Sequence, residues 1–398
     1  MKKLSFTLLL YFIFLSSNAQ NITTIDLAQA KFGEIPANTI FDEIEIIPLE
    51  LHEDGLLNAN STFYFNDKYI IGLRTLRGAY LFDRKTGSFI REASSIGQGP
   101  DEYNGRFFTR SGFDEKNNIL FTSDNNARGK SWKGINIETN KIDLNIKISL
   151  QNNHDEDFSA TAPWLIKDNI YVSFCNNWTG KDKVRLIVFD KNGNLLKKYP
   201  NYLEYIDVNL YALPAYDGIF YYYNGMTYFK EVNYNDTVFR VDEKEMSPHI
   251  IFDLGDKQPS YYNRNNSDYN SGKYFINFVH ETDLFILFSF SYYKETLNTP
   301  YGKTESNPSI HTGYYDKKSK QTYISSTSDL KKSGYVIPGI PVSFRPLYIN
   351  KNKQMIAKID AEELYKYKDN IDQKYKHLFQ NIKDDDNPIV IIARMRMY

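Results

Sequence analysis

The 398-residue sequence has one cysteine, Cys175, so no disulfide can form within the chain. The fold must be held by packing and by hydrogen bonds between strands. Cys175 ends the apolar run Ile170–Cys175, a strand pattern. Its thiol is expected to be buried and inert, because a nucleophilic cysteine needs a histidine and a polar setting. Excess charge is also missing: 48 basic against 49 acidic residues give a formal net charge of −1. With no basic cluster to neutralise phosphates, nucleic acid is excluded as a partner, and so is a polybasic membrane patch. The six histidines are scattered, and neither His-Glu-x-x-His nor Gly-x-Ser-x-Gly occurs. The Ser-x-Asp-x-Gly-x-x-Trp box is absent as well, Ser123–Trp132 matching it only in part. Gly97-Gln-Gly-Pro is followed by no Lys-Ser/Thr and opens no helix, so it reads as a turn rather than a phosphate cradle. The acidic runs His154–Asp157 and Asp384–Asn387 lack the alternating ligand series of a calcium loop. No metal and no cofactor is indicated.

Long apolar runs are equally scarce. The one at the N-terminus, Leu4–Leu15, follows Lys2 and Lys3 and precedes Ser17-Asn18-Ala19. A short positive start, an apolar stretch and small residues before a cut form a signal peptide, here residues 1–19. The run is too short to cross a bilayer, which takes about 20 residues, so no transmembrane helix is expected in the mature chain. No cysteine lies at the cleavage point to carry a lipid. Export to the periplasm or the extracellular space is expected, with residues 20–398 forming a single domain.

Aromatic residues are plentiful: 32 tyrosines and 27 phenylalanines. Such residues suit a pleated, half-buried surface and point to an all-β chain. A unit also recurs, consisting of a polar turn followed by an apolar strand. Its first apolar residues are Tyr69, Ile119, Ile170, Ile219, Leu284 and Met355, spaced by 50, 51, 49, 65 and 71. A second marker, a strand ending in an acidic residue before a tight turn, falls at Asp83, Glu138, Asp190, Asp242 and Asp316, spaced by 55, 52, 52 and 74. A period near fifty with several strands per unit is the pattern of propeller blades. Six first markers give six blades. The sixth unit has no second marker, and Phe41–Glu50 is a spare strand at the other end of the chain. Pairing the two would close the ring and remove an exposed edge.

Several segments carry a family likeness. Ser95–Asn104, continuing through Phe113–Asp124, resembles an NHL-type repeat. From Phe41 to the end the chain resembles the secreted six-bladed β-propellers of Bacteroides-like bacteria, with NHL/TolB-like repeats. Ile47-Pro-Leu-Glu, Gly97–Tyr103, Asn235–Val241 and Asp386–Ile392 carry the likeness, in the same order. Many members look like lipoproteins, and this chain departs from them in lacking the lipid-bearing cysteine. The resemblance implies a fold and a compartment. It transfers no activity and no catalytic residue.

With strands A to D running from the axis outward, the A–B and C–D connections are short and share one face. The B–C and D–A connections are long and share the other. Function belongs on the elaborated face, because loops on a rigid scaffold are where binding residues concentrate. The candidates there are Arg74, Arg77, Gln98, Tyr103, Arg106, Arg128, Trp132, Trp178, Tyr228 and Tyr292, with Tyr301 beside them. Rings stack on apolar faces and arginine pairs with carboxylates. A helix is expected over 361–382, in the B–C loop of the last blade, from Leu364, Ile371, Tyr375, Leu378 and Ile382 on one face. The chain therefore reads as an exported binding module for a glycan, a peptide or an envelope protein. The competing reading is a carbohydrate-active enzyme, a glycoside hydrolase or lyase.

Overall fold

The structure is a computed structural model. It describes residues 22–74, 77–93, 97, 99, 102, 105–106, 112–124, 131–148, 159–177, 180–204, 218–232, 234–263, 267–292, 296–299, 302–305, 309–325 and 333–397. The segment 1–19, expected to be a signal peptide, lies outside them. Six sheets succeed one another around a ring, each an antiparallel meander. Blade 1 comprises Thr62–Phe65, Tyr69–Leu73, Ala79–Asp83 and Phe89–Glu92 as strands A to D. Blade 2 places Phe113–Asp114 and Gly105–Arg106 innermost, then Ile119–Asp124, Ser131–Asn136 and Lys141–Lys147. In blade 3 strand A is split into Ser159–Ala160 and Trp164–Lys167, followed by Ile170–Asn176, Val184–Asp190 and Leu195–Pro200. Blade 4 runs Gly218–Tyr223, Met226–Glu231, Thr237–Val241, Met246–Asp253, and blade 5 runs Tyr274–Glu281, Phe285–Tyr292, Ser309–Asp316, Gln321–Ser325. Blade 6 takes Arg345–Ile349, Gln354–Ile359 and Ile389–Met395 from the end of the chain, and Phe41–Pro48 from its beginning. The last two pair antiparallel, Ile391 opposite Ile46, so the ring is closed by the N-terminal strand.

Burial explains why this sequence adopts blades. Strands B and C are covered on both faces by neighbouring blades and read as nearly continuous apolar runs. Val184–Phe189 is buried at every residue, as is Phe285–Ser291. Strand D lies on the outside and alternates, as in Lys141–Lys147. The apolar side chains form clusters between blades rather than one central core. One joins blades 2 and 3 through Phe121, Trp132, Tyr171 and Phe189, and another joins blades 3 and 4 through Phe174, Val188 and Phe229. Each buried aromatic or aliphatic side chain stabilises the stack by about 1.5–3 kcal/mol. A lone blade would leave both faces wet.

The two repeat markers have physical causes. The second is a carboxylate or amide that caps the C–D turn. Asp83 Oδ1 accepts from the backbone N–H of Lys85 and Thr86, and Asp190, Asp242 and Asp316 do the same in their blades. In blade 2 the cap is Asn136, accepting from Glu138 and Thr139, so the marker sits two residues before Glu138. Gly87 and Gly193 occupy two of these turns at φ +74 and +84. A Cβ there would strike the backbone carbonyl of Pro48 or Lys147 on the preceding blade, so only glycine lets the turn dock.

The first marker is strand B, with one exception. Ile219 lies in strand A of blade 4, and Asn224-Gly225, both at positive φ, make that blade's A–B turn. Three tyrosines before the turn make strand A resemble the B strands of the other blades. The strand B that follows, Met226–Glu231, occupies part of what the sequence suggests is loop. The segment 361–382 is helical only in short turns: Ala361–Tyr365, Lys368–Asn370, Gln373–Tyr375 and Lys376–Phe379. Its apolar residues still reach the blade 5–6 cluster, Leu364 and Ile371 fully and Tyr375, Leu378 and Ile382 partly.

The N-terminal segment also straps the outside of the ring. Thr23–Asp26 adds a parallel fifth strand to blade 4, Lys31–Gly33 adds one to blade 5, and Ile35–Pro36 pairs with Tyr335–Val336. Ile25, Leu27, Ile35, Ala37 and Ile40 are buried along it. Nothing in the short, polar-flanked stretch before Phe41 marks it as strand.

Candidate functional site

The polarity of the ring is clear in the connections. All six A–B turns are short, from 66–68 in blade 1 to 350–353 in blade 6, and the C–D turns match them. This tight face is laced between blades. Lys68 pairs with Glu138 at 2.9 Å, Lys116 with Asp168 at 3.1 Å, Lys167 with Glu243 at 2.5 Å and Lys353 with Asp283 at 2.6 Å. Each exposed pair contributes little alone, but together they tie turn to turn. Between blades 4 and 5 the buried Glu281 carboxylate is held at 2.6 Å by both His249 and Lys317.

The strands A surround a central cavity of about 610 Å³. Every blade lines it: Tyr64 from blade 1, Gly112 before strand A of blade 2, Trp164 from blade 3, Phe220 from blade 4, Asn277 and His280 from blade 5, Arg345 and Tyr348 from blade 6. At the tight face a hydrogen-bonded link joins blades 2 and 6. Glu115, in the A–B turn of blade 2, reaches past blade 1 to accept from the Tyr348 hydroxyl and from the Lys351 N–H, at 3.3 Å, in blade 6. Beside it Tyr171 donates to Asp114 at 3.3 Å, and Tyr222 donates to the Leu165 carbonyl. Tyr64 packs edge-on to Tyr348 at 4.9 Å. Burial pushes the Glu115 carboxyl up to about 7, with Asp114 adding repulsion.

The other end lies at the long-loop face. Arg345 begins strand A of blade 6, opposite Lys358 in strand B, and Asp360 and Glu363 follow where the helical insertion starts. All four line the cavity. Lys358 is engaged by Asp360 at 2.9 Å. Arg345 Nη2 donates to Ser333 Oγ at 2.6 Å, and burial lowers its pKa against the field of Glu363. Burial holds His280 down to about 3, so its imidazole is neutral. Trp164 stacks on Phe220 at 6.0 Å, forming an aromatic wall across blades 3 and 4. Among the described residues no three His, Cys, Asp or Glu side chains gather to hold a metal.

The residues singled out from sequence divide. Arg74 and Arg77 come together in the B–C loop of blade 1, where the Arg77 N–H donates to the Arg74 carbonyl at 3.0 Å and both guanidinium charges reach Tyr80. They lie away from the cavity lining. Trp132 is buried in strand C of blade 2 and stacks on Phe189 at 5.7 Å. Tyr228 is buried in strand B of blade 4 and stacks on Tyr221 at 5.2 Å. Both are packing residues and present no ring face to solvent. Tyr292 is half-buried against Tyr274 at the long-loop end of blade 5. Arg106 pairs through its backbone with Ser123, and its side chain lies outside the described residues. Gln98, Tyr103, Arg128, Trp178 and Tyr301 lie outside them too. In Gly97-Gln-Gly-Pro the Gly99 N–H donates to Glu102 at 2.7 Å, and Gln98 and Pro100 lie outside the described residues. Arg345, Trp164, Phe220 and Tyr64 escape a reading that looks for sites only in loops. The available signal was their place at the start of strand A, next to the axis.

Ring, closure and channel together define a six-bladed β-propeller. The chain belongs to the family described as a domain of unknown function, DUF4934, whose model matches residues 22–394. Among solved structures it is similar to a Bacteroides fragilis protein named as an exported protein, with TM-score 0.65 and 17% identity over 94% of this chain and 100% of that one. It also matches the computationally designed Ika8 protein, with TM-score 0.38 and 13% identity over 80% and 85% of the two chains. BamB from Moraxella catarrhalis matches with TM-score 0.35 and 10% identity over 80% and 74%. These likenesses concern the fold alone. No curated protein matches the chain. No helix among the described residues is long and apolar enough to cross a membrane.

Proposed function

We propose that this chain is an exported binding module, periplasmic or extracellular, whose ligand enters the central cavity from the long-loop face. The observation that carries this reading is the asymmetry of the channel. At its tight end Glu115 of blade 2 is bonded to Tyr348 of blade 6, while the cavity of about 610 Å³ is lined by residues from all six blades. That volume is within the usual range for small-molecule sites, about 300–1,000 Å³. The outer loops with Arg74, Arg77 and Tyr292 then form the rim that a glycan, peptide or envelope protein meets first.

The test is a screen of purified residues 20–398 against glycans, peptides and envelope proteins. It is repeated with Ala162→Trp, which fills the cavity, and with Arg74→Ala and Tyr292→Ala on the rim. Binding lost in Ala162→Trp with an unchanged thermal midpoint supports the channel. Binding retained there and lost in the rim variants places the ligand on the outer loops and sinks the channel reading. A second reading, a carbohydrate-active enzyme, draws on Asp360 and Glu363 sharing the cavity mouth. Paired carboxylates across a substrate are what glycoside hydrolysis needs. Turnover of a bound glycan that disappears in Glu363→Gln would favour it, and unchanged glycan would remove it.

A further inference from the structure

We propose that the central cavity takes a small ligand bearing a carboxylate beside a flat ring, with Arg345 as its anchor and Trp164 and Phe220 as the opposite wall. The proposal rests on the channel reading above and gives it a chemical class. Arg345 lines the cavity, and the only hydrogen bond its guanidinium makes to a described group is the one from Nη2 to Ser333 Oγ. Its Nε–H is buried and has no partner. Among the described residues no carboxylate lies within ion-pair distance of the guanidinium, and Glu363 acts on it only through its field. A desolvated guanidinium without a counter-ion is an unfavourable arrangement that an incoming anion relieves. Arginine's planar fork also matches a carboxylate in two-point contact. The other cation at the mouth, Lys358, is already engaged by Asp360 and by the Ala59 carbonyl, so it does not compete.

The far wall supplies the ring-binding half. Trp164 and Phe220 lie nearly parallel, interplanar angle 20°, and both line the cavity. An aromatic wall of this kind suits a sugar ring or an arene. Two sources share this chemistry, a uronic-acid sugar and a free aromatic acid.

The test titrates residues 20–398 with digalacturonate, with 4-hydroxyphenylacetate and with neutral maltose, using calorimetry and tryptophan fluorescence. At least one acidic probe is expected to bind roughly tenfold or more tighter than maltose, and the tighter of the two identifies the source. Loss of a charged two-point contact in Arg345→Gln should weaken it by roughly tenfold or more. Arg345→Lys, which keeps the charge without the fork, and Ser333→Ala, which loosens the arginine, should fall between. They carry the test if Arg345→Gln does not fold. Maltose binding as tightly as the acids, or acid affinity unchanged across these variants, overturns the anchor while leaving the channel reading intact. If neither acid binds at millimolar concentration, the proposal fails, and the screen with Ala162→Trp decides the channel reading separately.

Discussion

At the scale of single residues, the same side-chain type serves opposite ends here, and burial separates them. Trp132 is 1% exposed and stacked between blades. Trp132→Ala should lower stability by about 3–5 kcal/mol in urea unfolding and leave ligand affinity unchanged in the folded fraction. An affinity change with little loss of stability would contradict its place in the core. Glu115 offers a pH test. Its folded pKa is raised to about 7 from an ordinary 4.5, so the folded chain holds this proton more tightly than the unfolded chain. The stabilisation is complete below about pH 4.5 and is lost as pH rises through 7. The span corresponds to at most about 3 kcal/mol. Between pH 5 and 8 the urea midpoint of the natural protein should therefore fall relative to Glu115→Gln, and parallel profiles would contradict the assignment. Neither role could be read from sequence. Trp132 follows a run of polar residues that resembles loop, and Glu115 acquires its partner Tyr348 only when blades 2 and 6 are brought together on either side of blade 1.

At the scale of elements, the strap is the feature with the largest untested energetic role. Removing residues 22–36 while keeping Phe41–Pro48 should leave a ring that still unfolds in one transition, with lower stability. Exposing Ile25 and Leu27 alone costs on the order of 5 kcal/mol. Calorimetry and light scattering would show the drop, together with association through the bared edges of blades 4 and 5. An unchanged midpoint would make the strap incidental. The repeat that shows in the sequence is the part of each blade fixed by local chemistry: Asp83, Asp190, Asp242 and Asp316 announce themselves because a capped turn needs that residue at that place. The strap depends on nothing local, since its parallel partners lie more than 200 residues away at Met246–Asp253 and Gln321–Ser325. The insertion after Ile359 shows the reverse. Its apolar spacing suggests one helix, yet packing onto the blade 5–6 cluster breaks it into short turns.

At the scale of the molecule, stability is shared among interfaces between blades, so closure governs cooperativity. A chain lacking residues 20–50 should lose its single unfolding transition or become insoluble, whereas a soluble, cooperative product would show that five and three-quarter blades suffice. The position of Phe41–Pro48 beside Ile389–Met395 has a further consequence for how the chain is made. The first blade strand in chain order is paired with the last. A chain that stops before Ile389 therefore leaves Phe41–Pro48 without its partner strand and the ring open at blade 6.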